Sequence, residues 1–188
     1  GSVWRRLGAV VTVVEFLDSI LPGMDGEVVK QMTRTLKKQG MKFKMLSKVR
    51  GAKVSKTGVS LTIEAAVGDK SETLKADVVL VSIGRIPYTK DLGLEALGVT
   101  MDKRGIVQVN HTYATNVPGI YAIGDCIPGP MLAHKASEDG VACVEMMAGN
   151  HAEVDYNTVP GVAYTWPEAA SVGATEQSLK ADGVDYVV

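Results

Sequence analysis

The stretch GSVWRRLGAVVTVVEF, residues 1–16, decides the fold class. Residues 1–7 have the pattern of the last two turns of a helix, and Gly8 is a typical helix stop. Val10–Val14 then form a nearly continuous β-branched run, which is typical of a parallel strand buried on both faces. We therefore predict an α/β architecture that begins inside a helix, after a first strand and turn that the sequence lacks.

The rest of the chain alternates between helix and strand patterns. Asp25 is expected to cap a helix that ends near Gln39 and buries Val28, Met32 and Leu36. Further helices are predicted within 85–97 and over 132–148 and 176–181, and a turn at Gly68-Asp69. Strands are predicted at 42–46, 48–54, 59–66, 77–83, 106–109, 119–123 and 159–164, with 48–54 and 59–66 antiparallel and a last strand starting at Val184.

The composition of the chain argues against several classes of partner and site. The 188 residues include 20 basic and 21 acidic side chains, so nothing indicates a nucleic-acid groove or an anionic membrane surface as partner. We expect no signal or transit peptide at residue 1, and no apolar run approaches the roughly 20 residues of a membrane span. Cys126 and Cys143 have neither redox-pair nor zinc-site spacing, so we predict two reduced, buried thiols and no metal site.

Acidic and glycine residues follow several predicted strands. Glu15 lies where a Rossmann unit places the acid that accepts hydrogen bonds from a ribose, although a strand-ending Glu that faces water remains an alternative. Its charge would repel a 2′-phosphate, which favours NAD over NADP. Arg5 and Arg6 are expected to be solvated. Gly84 and Gly124-Asp125 end apolar strands, where ligands bind in open α/β sheets, but each glycine could also be a simple turn.

Five stretches resemble the dihydrolipoamide dehydrogenase family of flavin-dependent pyridine-nucleotide disulfide oxidoreductases. They are residues 1–16, VVLVSIGRIPYTKDLGLEALGV at 78–99, TNVPGIYAIGDC at 115–126, GPMLAHKASEDGVACVEMMAG at 129–149 and VPGVAYTWPEAASVGATEQSLK at 159–180. The motif YAIGD is shared by flavoprotein disulfide reductases, whereas GPMLAHKA followed by EDG is more specific to this family. Ile86 and Trp166 depart from residues common in the family, and the second puts interface packing in doubt.

The resemblance implies a domain organisation and site residues. A partial Rossmann-like NAD-binding domain with antiparallel strands would span 1–113, an FAD-contacting segment 114–150, and the start of an α+β dimerisation domain 151–188. On the NAD side, Glu15 would bind the adenosine ribose, Val49 the adenine, and Gly84 would pass close to the cofactor. On the FAD side, Asp125 would bind the ribityl chain, and the flavin would be lined by Met131, Leu132, Ala133 and His134.

The resemblance also implies an activity: oxidation of dihydrolipoamide to lipoamide with reduction of NAD⁺, using FAD. The implied partners are lipoyl domains of 2-oxo-acid dehydrogenase complexes and a second copy of the enzyme, in the mitochondrial matrix or, alternatively, a bacterial cytoplasm. The family's redox cysteine pair and its His–Glu pair are not in this sequence, so we assign no catalytic residue and expect the chain alone to be inactive. The alternatives are a mercuric or glutathione reductase-like enzyme and a non-catalytic nucleotide-binding module.

Overall fold

The computed structural model describes residues 1–68 and 70–188, which form two compact units. The first unit comprises Gly1–Val81 and Pro160–Val188, and the second comprises Ser82–Val159. In chain order the elements are α1 (Ser2–Arg6), β1 (Thr12–Val14), α2 (Gly26–Lys38), β2 (Lys42–Lys44), β3 (Ser47–Ser55), β4 (Gly58–Ala65), β5 (Ser71–Ala76), a 3₁₀ turn (Gly124–Cys126), α3 (Ala133–Met147), a second 3₁₀ turn (Tyr156–Thr158), β6 (Gly161–Ala163), β7 (Ala169–Ser171) and α4 (Glu176–Ala181).

Three small sheets give the first unit its mixed α/β character. Strand β1 pairs in parallel with β2, with Thr12 opposite Lys42, as the β-branched run at residues 10–14 predicted. The predicted burial on both faces is wrong, because β1 is half-buried and Val10, which precedes it, is 78% exposed. Strands β3, β4 and β5 form an antiparallel sheet in that order, and β6 pairs antiparallel with β7. The predicted α/β class with antiparallel strands is therefore confirmed.

Helix α2 contributes two residues to a buried core cluster of the first unit. Asp25 caps its first turn by accepting a hydrogen bond from the backbone N–H of Glu27 at 2.9 Å, as predicted. Its buried face is Met32 and Leu36, which are 5% and 6% exposed and pack with Met41. Burial of each such side chain stabilises the fold by roughly 1.5–3 kcal/mol.

Helix α3 organises the second unit. Ala142 and Cys143 on its buried face pack against Tyr113 and Ile127. Both Cys126 and Cys143 are free thiols; Cys143 is buried and Cys126 is half-buried. No helix in residues 1–68 and 70–188 is long and apolar enough to cross a membrane.

Several predicted elements are wrong or shorter than expected. Residues 77–83 form no strand, because no described strand pairs with their backbone, and Val78, Leu80, Val81 and Ile83 are 71–95% exposed. The preceding segment Ser71–Ala76 pairs with β4 instead.

The segments that follow are also less regular than predicted. Within 85–97 only hydrogen-bonded turns form, 106–109 and 119–123 contribute single bridges, and the segment from Val184 is irregular. An isolated apolar run lacks the neighbouring strand that would satisfy its backbone groups. The predicted Gly68-Asp69 turn includes Asp69, which lies outside the described residues.

Candidate functional site

The segment Gly124–Cys126 is a tight 3₁₀ turn that presents Asp125 at the surface. Gly124 is buried and has a φ of +73°, a conformation that favours glycine. A Cβ atom at this position would lie 3.1 Å from the Cβ of Ala136 on helix α3. The turn therefore needs glycine both for its backbone conformation and for its close contact with the helix.

Both backbone polar groups of Gly124 are bound by one pair of charged side chains. The N–H of Gly124 donates to Oδ2 of Asp139 at 3.0 Å, and its carbonyl accepts from Nζ of Lys135 at 2.9 Å. Lys135 and Asp139 also form an ion pair at 2.9 Å, and both side chains are 0% exposed. Their i, i+4 spacing places both on the same face of α3.

Two tyrosines complete this buried cluster. The hydroxyl groups of Tyr156 and Tyr113 donate to Oδ1 of Asp139 at 2.9 and 3.3 Å. Burial, with the nearby charge of Asp139, raises the pKa of Tyr113 to about 12, and burial with the same carboxylate also raises the pKa of Tyr156. The ammonium group of Lys135 lies 4.9 Å from the ring centroid of Tyr156, a favourable cation–π distance. Every charge in the cluster is thus offset by a partner.

Sequence reasoning did not predict this cluster. A signal was nevertheless present, because Ala142 and Cys143 lie seven and eight positions after Lys135 and belong to the same buried helical stripe. Extending that stripe toward the start of α3 places Lys135 and Asp139 in the interior. Charged residues in a buried stripe require partners, so the pair itself was the clue.

The carboxylate of Asp125 faces the loop that carries Gly84. Nη1 of Arg85 donates to Oδ2 of Asp125 at 3.1 Å, and the side chains are 67% and 37% exposed. Gly84 precedes Arg85 and has a φ of +136°. The structure thus brings the Gly84 loop next to Asp125, through an arginine that the sequence analysis had not singled out.

The start of helix α3 lies directly after this turn. Met131 and Leu132 are half-buried, whereas Ala133 and His134 are exposed. No side chain among the described residues caps the helix at Leu132, and a helix amino terminus carries about half a positive charge. A half-buried aspartate that can accept hydroxyl hydrogen bonds, beside the positive end of a helix, fits a polyhydroxylated ligand with a hydrogen-bond-accepting edge, as FAD is.

The remaining predicted residues, Glu15 and Val49, lie in the first unit. Glu15 follows β1 directly and is half-buried, and its Oε1 accepts from the backbone N–H of Leu17 at 3.0 Å. Its carbonyl accepts from Ser47 at 2.9 Å, which ties the end of β1 to the start of β3. Val49 is on β3 and 46% exposed, next to a bulge in the pairing with β4. The structure therefore connects the two segments that carry the predicted NAD-side residues.

Comparison with known proteins assigns the family. The model of the pyridine nucleotide-disulphide oxidoreductase family matches residues 1–140. The chain belongs to this family. Over all 188 residues it is 61% identical to dihydrolipoyl dehydrogenase 2, mitochondrial, of Arabidopsis thaliana, and 56% identical to dihydrolipoyl dehydrogenase 3 of Pseudomonas putida.

The solved structures extend the family assignment to the fold. LpdA from Mycobacterium tuberculosis superposes with a TM-score of 0.87 at 27% identity, covering 97% of this chain and 39% of that one. The chain spans 37% of the length of the Arabidopsis relative and 40% of the Pseudomonas one. The resemblance that the motifs predicted is therefore confirmed along the whole chain.

Proposed function

We propose that this chain is part of a dihydrolipoyl dehydrogenase, which oxidises dihydrolipoamide to lipoamide and reduces NAD⁺ to NADH with FAD as cofactor. The observation that carries the proposal is the 61% identity over all 188 residues to a dihydrolipoyl dehydrogenase. The flavin would supply the electron transfer between the thiols and the nicotinamide. This chain would contribute binding and orientation for both cofactors.

On the FAD side, the proposed ligands lie on a turn and a helix that are joined to each other. Asp125 would accept hydrogen bonds from the ribityl hydroxyl groups, in place of its contact with Arg85. Met131, Leu132, Ala133 and His134 would line the flavin from the start of α3. The partial positive charge of that helix end would stabilise negative charge on the flavin ring.

On the NAD side, Glu15 would bind the adenosine ribose and Val49 would contact the adenine. Support comes from the position of Glu15 immediately after a parallel strand, the usual place of a ribose-binding acid. The same carboxylate would disfavour the 2′-phosphate of NADP. Gly84, with its positive φ and without a side chain, would let the cofactor approach the backbone.

We further propose that the protein forms a homodimer and acts on lipoyl groups of 2-oxo-acid dehydrogenase complexes in the mitochondrial matrix. The name of the Arabidopsis relative as a mitochondrial enzyme supports this compartment, and the Pseudomonas relative supports a bacterial cytoplasm as the alternative. The domain limits at 113 and 150 are part of the same proposal.

The test compares two polypeptides. One is this 188-residue chain, and the other is the longest polypeptide encoded by the reading frame that contains it, called here the parent polypeptide. Each is incubated with FAD, passed through gel filtration and examined by visible absorption, and NADH formation from NAD⁺ and dihydrolipoamide is followed. We expect a retained flavin band and activity in the parent polypeptide, and little flavin and no activity in the chain alone.

Other substrates separate the alternatives. If the parent polypeptide turns over glutathione disulfide or mercuric ion with NADPH faster than dihydrolipoamide with NAD⁺, the proposal is wrong and another disulfide reductase is identified. Nucleotide binding by the parent polypeptide without any of these activities would instead identify a non-catalytic module.

A further inference from the structure

We infer that the buried Lys135–Asp139 pair orients Asp125 for FAD, so that both are positioning residues of the flavin site. This inference rests on the proposed function, because it requires that Asp125 binds FAD. Gly124, which precedes Asp125, has its N–H and its carbonyl both bound by the pair. With both groups held, the direction in which the next residue leaves the backbone is fixed.

The pair also joins the two proposed parts of the flavin site. Lys135 follows His134 directly in the first turns of α3, so the helix start and the Gly124–Cys126 turn share the same anchor. Lys135 additionally lies 3.5 Å from the carbonyl of Pro128, which precedes the helix. Asp125 and residues 131–134 therefore have fixed positions relative to each other. A ligand that contacts both binds best when these positions are already fixed before it arrives.

Stability alone does not explain a buried ion pair. Removing two charges from water carries a desolvation cost that an apolar pair of similar volume avoids, so such replacements are often neutral or stabilising. Methionine and leucine cannot, however, bind the N–H and carbonyl of Gly124. An apolar replacement thus fills a similar volume but leaves the turn without its two bonds to Gly124.

Two tyrosines restrict the carboxylate further. Hydroxyl groups of Tyr113 and Tyr156 occupy Oδ1 of Asp139, which leaves Oδ2 to Gly124 and Lys135. A carboxylate with both oxygens assigned has a single orientation. Extending its side chain by one methylene group, as in Asp139→Glu, would keep the charge and displace the turn.

The decisive experiment uses the parent polypeptide with Lys135→Met combined with Asp139→Leu. We expect the dissociation constant for FAD to rise by at least about tenfold. The melting temperature of the apoprotein should also fall, because Gly124 and both tyrosine hydroxyl groups lose their partners. The visible circular dichroism of bound flavin should change as well. Glu138→Gln, an exposed position on the same helix, is the control and should change none of the three measurements.

Each other result decides the question. A folded double variant that binds FAD with unchanged affinity and unchanged flavin circular dichroism would show that the pair is merely structural. If the double variant does not fold, Asp139→Glu decides: weaker FAD binding with altered flavin circular dichroism supports the inference, and unchanged values overturn it. If the unchanged parent polypeptide binds no FAD, the proposed function fails and the inference fails with it.

Discussion

Oδ2 of Asp25 accepts a hydrogen bond from the backbone N–H of Glu176 at 2.9 Å, although 151 positions separate the two residues. Its other oxygen, Oδ1, accepts from Glu27 at 2.9 Å and caps α2. One carboxylate therefore binds the first turns of two helices, α2 and α4. Gln177 supports the same junction, because its Oε1 accepts from the N–H of Gly26 at 3.2 Å.

Replacing Asp25 should loosen both helices together. In Asp25→Ala the first-turn N–H groups of Glu27 and Glu176 both lose their acceptor, so we expect a lower melting temperature and faster amide exchange at the start of α2 and of α4. Asp25→Asn retains one acceptor oxygen and should have an intermediate effect. Asp18→Ala, an exposed acid in the preceding loop, is the control. Faster exchange in α2 alone would show that the bond to Glu176 contributes nothing.

Low pH should remove the stabilisation that the hydrogen bonds to Asp25 provide. Hydrogen bonds from the N–H groups of Glu176 and, to a smaller extent, Glu27 hold the pKa of Asp25 below its ordinary value of 3.8. A lowered folded-state pKa stabilises the protein above the unfolded-state pKa, and this contribution is lost as the pH falls through the folded-state pKa. The difference in free energy of unfolding between unchanged protein and Asp25→Asn should be constant above about pH 5 and shrink below pH 3.8. A difference that stays constant in urea titrations down to pH 2 would contradict this.

High pH should lower the free energy of unfolding through the buried tyrosines. The pKa of Tyr113 is raised from 10.0 to about 12, so the folded state favours the neutral phenol. Its stabilising contribution is complete below pH 10 and is lost as the pH rises toward about 12. Tyr113→Phe should therefore flatten the fall in unfolding free energy over this range, while losing about 1–3 kcal/mol at neutral pH with the hydrogen bond to Asp139. Tyr121→Phe, at a tyrosine that is 41% exposed, is the control.

Charge at position 15 should determine the nucleotide preference. If Glu15 binds the ribose, Glu15→Arg removes the acceptor and introduces a cation that attracts a 2′-phosphate. We expect the ratio of kcat/KM for NADH to kcat/KM for NADPH in the parent polypeptide to fall by at least about tenfold. The control is Glu27→Gln, whose side chain accepts hydrogen bonds from Lys30 and Gln31 on α2. An unchanged ratio in Glu15→Arg would show that Glu15 does not bind the ribose and only faces water.

The helices were predictable because their information is local. The cap at Asp25, the spacing of Met32 and Leu36, and the boundaries of α3 and α4 all follow from side chains within a few positions of each other. The candidate FAD residues were reached in a different way, through the motifs of a related family. No local rule predicted what binds Gly124.

The sequence alone established the α/β class, helices α2, α3 and α4, the parallel pairing of β1 and the family, although it also predicted a helix within 85–97 that does not form. Only the tertiary structure decided that residues 71–76 and not 77–83 form a strand, since a strand exists only where a neighbour satisfies its backbone hydrogen bonds. It also decided that Asp25 binds Glu176 and that Lys135 and Asp139 enclose Gly124. In each case the partner lies beyond the few positions that a local pattern covers, and for the buried pair the partners of the charges are those that the fold brings to them.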